Sequence, residues 1–226
     1  MTSSIAYDRR RYISREVFDR ANFGVEFKSY GIDFTQSDST AIPSNDRLGD
    51  CTDPNVFKVA IIDSGYMVNH PDSPCVTNPR YGTSNCIGYS FVEDPWDAPY
   101  HNWHGTHVMG IIGSLGGSSP YTNVGVIPTR NNICYVIYRV FDESRRGASW
   151  SNIFAAVERA ALDEGAKVIN MSLGGGAVPG GQAFFNRAFA AGTLTVAASG
   201  NDGRFVDKYP ASYNDVISVG AINNDK

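Results

Sequence analysis

Five short, largely apolar runs, each closed by turn-forming residues, constrain the fold of this chain most strongly. The first, "VFKVAII", meets the turn Asp63-Ser64-Gly65, and four later runs repeat the pattern. The runs occupy residues 56–62, 133–140, 167–172, 194–199 and 216–222. Strands that are apolar on both faces are typical of a parallel sheet covered on both sides. We therefore predict that these runs form one mostly parallel sheet.

Amphipathic helical patterns lie between the predicted strands. Apolar residues recur at helical spacing within 104–115, 149–164 and 182–191. Ser149 or Ser151 suits the N-cap of the second helix, and Gly165 and Gly192 suit the ends of the second and third. Strands alternating with helices predict an α/β fold, a mostly parallel sheet with helices on both faces. The 226 residues fit one such domain.

The charge balance and the cysteines narrow the functional class. A net charge of -4 gives no basic face, so neither a nucleic-acid nor a membrane partner is expected. Four cysteines without a C-x-x-C pair argue against a zinc ribbon and favour the disulfides of an exported enzyme, with all three pairings open. Residues 1–20 lack the apolar stretch of a signal peptide, so we expect the chain to be incomplete.

The ends of the predicted strands select the candidate catalytic residues. Ligands of open α/β sheets bind beyond the carboxyl ends of the strands, which points to Asp63, to Ser172 with its glycines, and to Asn201. Asp63 could orient an imidazole, Asn201 could donate to an oxyanion, and the glycine-rich loop could expose a backbone edge to a peptide. Each also has a structural explanation, since Asp and Asn suit turns and the loop suits a crossover.

Three of the four histidines fall in the stretch "HNWHGTHVMG", which starts at residue 101. His104 opens a predicted helix, and we expect the positive helix end to lower its pKa and so favour the neutral form that a general base needs. His107, one turn later, is predicted to pack or bond locally. A zinc site on His101, His104 and His107 is the alternative, but it needs Asp94 or Asp97 to complete the shell, and no H-E-x-x-H pattern is present.

Five sequence blocks together resemble the subtilisin-like serine proteases, the subtilase family or peptidase family S8. The blocks are "VAIIDSGYMVNHPD", "HGTHVMGIIG", "VINMSLGGG", "VAASGND" and "YPASYNDVISVGA", in the order found in that family. The resemblance covers roughly residues 56–222 and implies a three-layer fold with a parallel sheet between helices. It also implies a serine endopeptidase with a triad and an oxyanion hole.

The resemblance assigns a role to each candidate residue. Asp63 resembles the aspartate that orients the imidazole, His104 the base, and Asn201 the side-chain oxyanion donor. One further group resembles the segment that pairs with the substrate backbone, namely Ser172, Leu173, Gly174 and Gly175. Another resembles a wall of the primary specificity pocket, namely Ala198, Ser199 and Gly200. The implied partners are polypeptide substrates and the protein's own prosegment, and the implied state is a secreted monomer.

The family's nucleophile, in a Gly-Thr-Ser-Met-Ala type block after the asparagine, has no match in this chain. "GTSNC" contains Ser84, but it lies between Asp63 and His104, the wrong order for the family, and its neighbours suggest a loop. We therefore expect a C-terminally truncated, inactive chain that exposes apolar surface. In this interpretation, residues 1–28 are a prosegment remnant or an irregular extension, and residues 29–226 are a partial peptidase domain without the serine-bearing segment.

The remaining expectations concern metal, disulfides and alternative functions. No cofactor is required, and calcium stays open because Asp72 matches a calcium-binding position of the family whereas the loop 114–126 does not match the calcium loop. Within the family frame, Cys75 with Cys86 and Cys51 with Cys134 are the expected disulfide pairs. The alternatives are a pseudoenzyme that binds peptides or a protease through residues 172–175, and a zinc hydrolase.

Overall fold

A six-stranded parallel sheet is the centre of the molecule. The computed structural model describes residues 27–28, 49–70, 73–75, 77–78, 83–92, 103–114, 123–127, 133–142 and 147–222. The sheet strands are β2 (Phe57–Asp63), β5 (Cys86–Ser90), β7 (Ile133–Arg139), β10 (Val168–Met171), β11 (Leu194–Ala198) and β12 (Val216–Val219). Their spatial order is β12-β11-β10-β2-β7-β5, and all five pairings are parallel. The five predicted strands are confirmed, although β12 ends three residues earlier than expected.

Strand β5 was not predicted from the sequence. Its residues, "CIGYS", include a central glycine and show no apolar run, so local pattern gives no signal for a strand. Cys86 pairs with Tyr135 and Ser90 with Arg139, which extends the sheet beyond β7 by one edge strand. The extended conformation of β5 therefore depends on its pairing with the buried strand β7.

In the part of the chain that the structure describes, three helices cover the sheet. They are α1 (His104–Gly113), α2 (Trp150–Glu158), continued as a π-helical turn over Arg159–Asp163, and α3 (Gln182–Ala190). Ser149 is the N-cap of α2, its hydroxyl accepting a hydrogen bond from the Asn152 amide at 3.2 Å. Gly165 and Gly192 follow the second and third helices with φ of 65° and 85°, so glycine suits both stops. The predicted helices are confirmed.

The helices lie on both faces of the sheet because the central strands are apolar on both. In β2, Ala60 and Ile62 pack in a cluster with residues of α2 and α3, while Val59 and Ile61 pack in a second cluster with Val108 of α1. The chain therefore has the expected α/β architecture of a mostly parallel sheet between two helical layers.

The other regular elements within the described ranges are short strands. They are β1 (Phe27–Lys28) parallel to β6 (Asn123–Val124), β3 (Thr77–Asn78) antiparallel to β4 (Thr83–Ser84), and β8 (Phe141–Asp142) antiparallel to β9 (Gly147–Ala148). At the sheet edge, Ile217 and Val219 of β12 are each 49% exposed. The predicted helix at residues 12–20 lies outside the described residues. No described helix is long and apolar enough to cross a membrane.

Both disulfides pair as expected. Cys51 is bonded to Cys134, which joins the segment before β2 to the start of β7, 83 residues away. Cys75 is bonded to Cys86, which closes a loop of 11 residues in front of β5. Cys51 and Cys134 lie in the core, so the longer link is shielded from solvent.

Candidate active site

Asp63 ends the central strand β2 and is completely buried. A buried carboxylate is unfavourable unless hydrogen bonds replace its hydration. The Asp63 Oδ1 atom accepts one such bond from the Ser64 amide at 2.7 Å. The backbone is held as well, since the Asp63 carbonyl accepts a hydrogen bond from the Val140 amide at 2.9 Å. The carboxylate therefore has a fixed position at the carboxyl edge of the sheet.

His104 is the first residue of α1, and its neighbours dock that helix against the end of β2. The Gly105 amide donates to Ser64 Oγ at 2.9 Å, and the Met67 amide donates to Thr106 Oγ1 at 3.0 Å. A Cβ on Gly105 would lie 2.2 Å from the Gly65 carbonyl oxygen, so only glycine allows this approach. Sequence reasoning missed Ser64 and Thr106 as positioning residues. The available signal was a hydroxyl residue one position after Asp63 and another two positions after His104.

The two elements bring Asp63 and His104 into direct contact. His104 Nδ1 lies 2.7 Å from Asp63 Oδ1. Because a carboxylate can only accept, Nδ1 carries the hydrogen, and the lone pair of the neutral ring is at Nε2. The His104 side chain is 29% exposed, whereas that of Asp63 is fully buried. The arrangement can therefore present Nε2 as a general base on the outer side of the pair.

The hydrogen bond to Asp63 raises the pKa of His104 above its usual value of 6.5; burial opposes the shift and the charge of Asp63 adds to it. The prediction of a lowered pKa was wrong. A carboxylate in direct contact with the ring outweighs the partial charge of a helix terminus. The protonated ring is thus stabilised in the folded state. This stabilisation is complete below the unfolded pKa and is lost as the pH rises through the higher folded pKa.

Asp63→Asn is expected to lower the pKa of His104, because a neutral amide replaces the carboxylate that stabilises the imidazolium ring. The measurement is an NMR titration of the His104 ring protons in the 226-residue chain, with His107 as an internal reference. Exposed Asp163→Asn is the control and should leave the His104 titration in place. An unchanged His104 pKa in Asp63→Asn would contradict the assigned contact.

Sheet register places the other candidate residues at the same edge. Asn170 of β10 pairs with Ile61 of β2, and Ser172 and Asp63 each lie two residues further along their own segments, toward the same carboxyl edge. Met171 pairs with Ala197 of β11, so Ser172 and Ala198 each directly follow a paired residue at this edge. Asn201 follows this strand in an exposed turn. The structure therefore gathers the substrate-binding candidates and Asn201 at the carboxyl edge of the sheet.

The backbone groups of Gly175 form hydrogen bonds within the protein. Its amide donates to the Tyr209 carbonyl at 2.8 Å, and its carbonyl accepts from the Tyr209 amide at 3.0 Å. These two bonds form an antiparallel bridge that joins the glycine-rich loop to the segment before β12. A peptide backbone that pairs with the glycine-rich segment would therefore contact the residues before Gly175.

The zinc alternative has no support among the described residues. His107 packs edge-on against Trp103, with 5.6 Å between ring centroids, as expected for local packing. His101, Asp94, Asp97 and the calcium candidate Asp72 lie outside the described residues. In the part of the chain that the structure describes, no three His, Cys, Asp or Glu side chains are grouped to hold a metal.

Ser84 lies toward the opposite edge of the sheet. Cys86 pairs with Tyr135 of β7, and Tyr135 pairs with Val59 of β2. Val59 precedes Asp63 by four residues, or about 13 Å along the strand. Ser84 precedes Cys86 and therefore lies further still from the edge that carries Asp63. Its hydroxyl accepts a hydrogen bond from the Cys86 amide at 3.1 Å. Its position agrees with the expectation that Ser84 is not the nucleophile.

Comparison with known proteins agrees with this geometry. The model of the subtilase family, Peptidase S8, matches residues 55–226. Thermitase of Thermoactinomyces vulgaris is 34% identical over 74% of this chain and 56% of its own length, and subtilisin DY of Bacillus licheniformis is 36% identical over 75% and 57%. The chain thus spans little more than half the length of these relatives.

A solved structure shows the same fold. The psychrophilic subtilisin-like protease Apa1 from Pseudoalteromonas sp. AS-11 superposes with a TM-score of 0.67 at 32% identity, covering 86% of this chain and 40% of Apa1. The match to the family model extends over the segments that carry Asp63, His104, Ser172 and Asn201. The chain therefore belongs to the subtilase family of peptidases.

Proposed function

We propose that this chain is part of a serine endopeptidase in which Asp63 and His104 are two members of an Asp-His-Ser triad. The observation that carries the proposal is the 2.7 Å contact between His104 Nδ1 and Asp63 Oδ1 at the carboxyl edge of the sheet. A buried carboxylate that fixes the tautomer of a part-exposed imidazole is the arrangement that activates a hydroxyl nucleophile. A pure binding protein has no use for it.

In the proposed reaction, His104 Nε2 takes the proton of a serine hydroxyl as that oxygen attacks the substrate carbonyl. The same nitrogen then gives the proton to the leaving amine. Asp63 accepts the hydrogen bond from Nδ1 and stabilises the imidazolium ring that forms between the two steps. The Asn201 side chain donates to the oxyanion, a charge that appears only in the transition state. Residues 172–174 would pair with the backbone of the substrate, and residues 198–200 would line the pocket for its side chain.

The nucleophile is proposed to come from a part of the protein outside these 226 residues. Among the described residues, no serine hydroxyl is hydrogen-bonded to His104 Nε2. Because this chain covers only 56% and 57% of two family members, a further segment is a reasonable source for the serine. Without that segment, we propose that the 226-residue chain is inactive.

The proposed substrates are polypeptides, and the proposed site of action is extracellular. Two disulfides support secretion, since such bonds persist in oxidising compartments. The proposed mechanism requires no metal, because proton transfer and oxyanion stabilisation come from side chains. We also propose that the protein is a monomer and that its own prosegment is an intramolecular partner.

The test compares the 226-residue chain with the complete gene product, each with and without His104→Ala. A fluorophosphonate probe, which labels activated serines, and casein hydrolysis are the readouts. We expect labelling and hydrolysis by the complete product only, and loss of both in His104→Ala. Robust hydrolysis of casein by the 226-residue chain would contradict the proposal. Hydrolysis that a chelator inhibits and the fluorophosphonate does not inhibit would also contradict it, and would favour a zinc hydrolase.

A further inference from the structure

Arg139 places a positive charge in the interior of the protein. It is the last residue of β7 and is completely buried. Its partner in the sheet register is Asp63, the last residue of β2, which is also completely buried. A buried charged group is unfavourable unless an opposite charge or hydrogen bonds replace its hydration. The sheet therefore carries two buried groups of opposite charge at the ends of neighbouring strands.

Both side chains lie on the face of the sheet that α1 covers. Ile61 of β2 is paired with Ile137 of β7, and the two pack in one cluster with Val108 of α1. Side chains alternate between the two faces along a strand, so Asp63 and Arg139, two positions later, also lie on this face. Because neighbouring strands are about 5 Å apart, the two charged side chains start one strand spacing from each other.

One oxygen of the Asp63 carboxylate has no hydrogen-bond donor among the described residues. Oδ1 accepts hydrogen bonds from the Ser64 amide and from His104 Nδ1, whereas Oδ2 is buried and accepts none in the described part of the chain. Bonds to one oxygen alone leave part of a buried carboxylate charge without compensation. A cation on the next strand can compensate such a charge through space, and the effect is strong where water is excluded.

The other titratable groups on this face cannot take the place of Arg139. Within the described parts of α1, β2, β5, β7, β10 and the turn 64–70, Asp63 is the one carboxylate on the face that α1 covers. The remaining titratable side chains of these elements on that face and in the turn are those of His70, His104, His107, Tyr66 and Tyr135. Tyrosine is neutral at pH 7, and histidine is charged only in part. Arg139 is therefore the permanent cation beside Asp63.

We infer that Arg139 is a positioning residue of the candidate active site, whose guanidinium charge balances the buried Asp63 carboxylate from the neighbouring strand. The inference rests on the proposed function, because it assigns Arg139 a part in the reaction of Asp63 and His104. Arg139 acts on His104 through Asp63, and not on the substrate. Its charge limits how strongly the carboxylate retains the proton of the imidazolium ring. Since a guanidinium group stays protonated, this balance is the same at every pH at which the base works.

Arg139→Gln removes this charge and should raise the pKa of His104. The carboxylate then attracts the imidazolium ring more strongly, and the repulsion between two cations is lost, so both effects favour the protonated ring. A unit charge one strand spacing away changes such an equilibrium by about tenfold in a part-buried site. His104 is a base only when neutral. We therefore expect the ratio of kcat/KM at acidic pH to kcat/KM at the pH optimum to fall about tenfold.

The test measures kcat/KM against pH for the complete gene product and the NMR titration of the His104 ring in the 226-residue chain. Arg139→Gln should move both curves to higher pH. Arg139→Lys keeps a positive charge and should leave both close to those of the unaltered protein. The matched control is Arg187→Gln, the same substitution in another carboxylate–cation pair, in which Arg187 Nε donates to Glu158 Oε1 at 3.0 Å. It should move neither curve.

A pair of backgrounds tests whether Arg139 acts through Asp63. Arg139→Gln should lower the urea midpoint of the 226-residue chain, because the buried carboxylate loses its cation. In the Asp63→Asn background that carboxylate is absent, so the same substitution should lower the midpoint by less. Equal losses in the two backgrounds would overturn the inference, since they would mean that Arg139 contributes packing alone.

The remaining outcomes separate the inference from the proposed function. An unshifted or lowered His104 pKa in folded Arg139→Gln would overturn the role of Arg139. If Arg139→Gln does not fold, Arg139→Lys decides: a lysine variant that is also unfolded, or whose His104 titration is moved, would show that the shape of the side chain matters and not its charge. Absence of both hydrolysis and fluorophosphonate labelling in the complete product would remove the peptidase proposal, while the His104 titration still decides the role of Arg139.

Discussion

Replacing Cys51 and Cys134 together by alanine is expected to lower the free energy of unfolding by about 4.5 kcal/mol. The disulfide closes a loop of 83 residues that contains β2, β5 and α1, and hence both Asp63 and His104. A link over such a length removes much of the conformational entropy of the unfolded chain. The measurement is equilibrium urea unfolding, followed by circular dichroism, of the alanine variant and the unaltered chain.

The second disulfide provides the matched control. The same double alanine substitution at Cys75 and Cys86 opens a loop of only 11 residues, and the expected loss is about 2.8 kcal/mol. The difference between the two variants then isolates loop length from the chemistry of removing sulfur atoms. Equal losses would show that local packing, and not loop closure, determines what these bonds contribute.

Asp63→Asn in the complete protein is expected to reduce kcat by about 10⁴, the magnitude associated with the same change in a serine protease triad. The carboxylate oxygen that accepts from the Ser64 amide also accepts from His104 Nδ1, at 2.7 Å in each case. An amide at this position can present its NH2 group to the ring, which moves the ring hydrogen to Nε2 and removes the base. The measurement is kcat with a peptide p-nitroanilide.

Substrate binding should change little in this variant, because the Asp63 side chain is fully buried and asparagine has nearly the same size and shape. A fall confined to kcat, with KM within a few-fold, is the expected pattern. Exposed Asp163→Asn should leave both constants unchanged. A large rise in KM without loss of kcat would mean that Asp63 supports the binding surface and not the base.

The sequence alone was sufficient to predict the layered architecture and to identify the main candidate residues. The strands at 57–63, 133–139, 168–171 and 194–198 are apolar on both faces, which is a property of their own residues, and the helices between them have local caps and stops. Asp63, Ser172 and Asn201 could be selected because each lies at or just after the carboxyl end of such a strand. Parallel pairing then requires their side chains to share one edge.

Only the tertiary structure decided the features that depend on distant partners. Strand β5 forms because β7 offers it an edge, although its own residues give no strand signal. The pKa of His104 is raised, contrary to the expectation from its helix position, because Asp63, 41 residues earlier, contacts the ring.

Ser64 likewise acquires its positioning role from a hydrogen bond with the Gly105 amide, 41 residues away. The physical reason is common to all of these cases. Local sequence controls backbone propensity and burial, whereas electrostatic and hydrogen-bonding roles depend on which atoms folding brings within about 3 Å of one another.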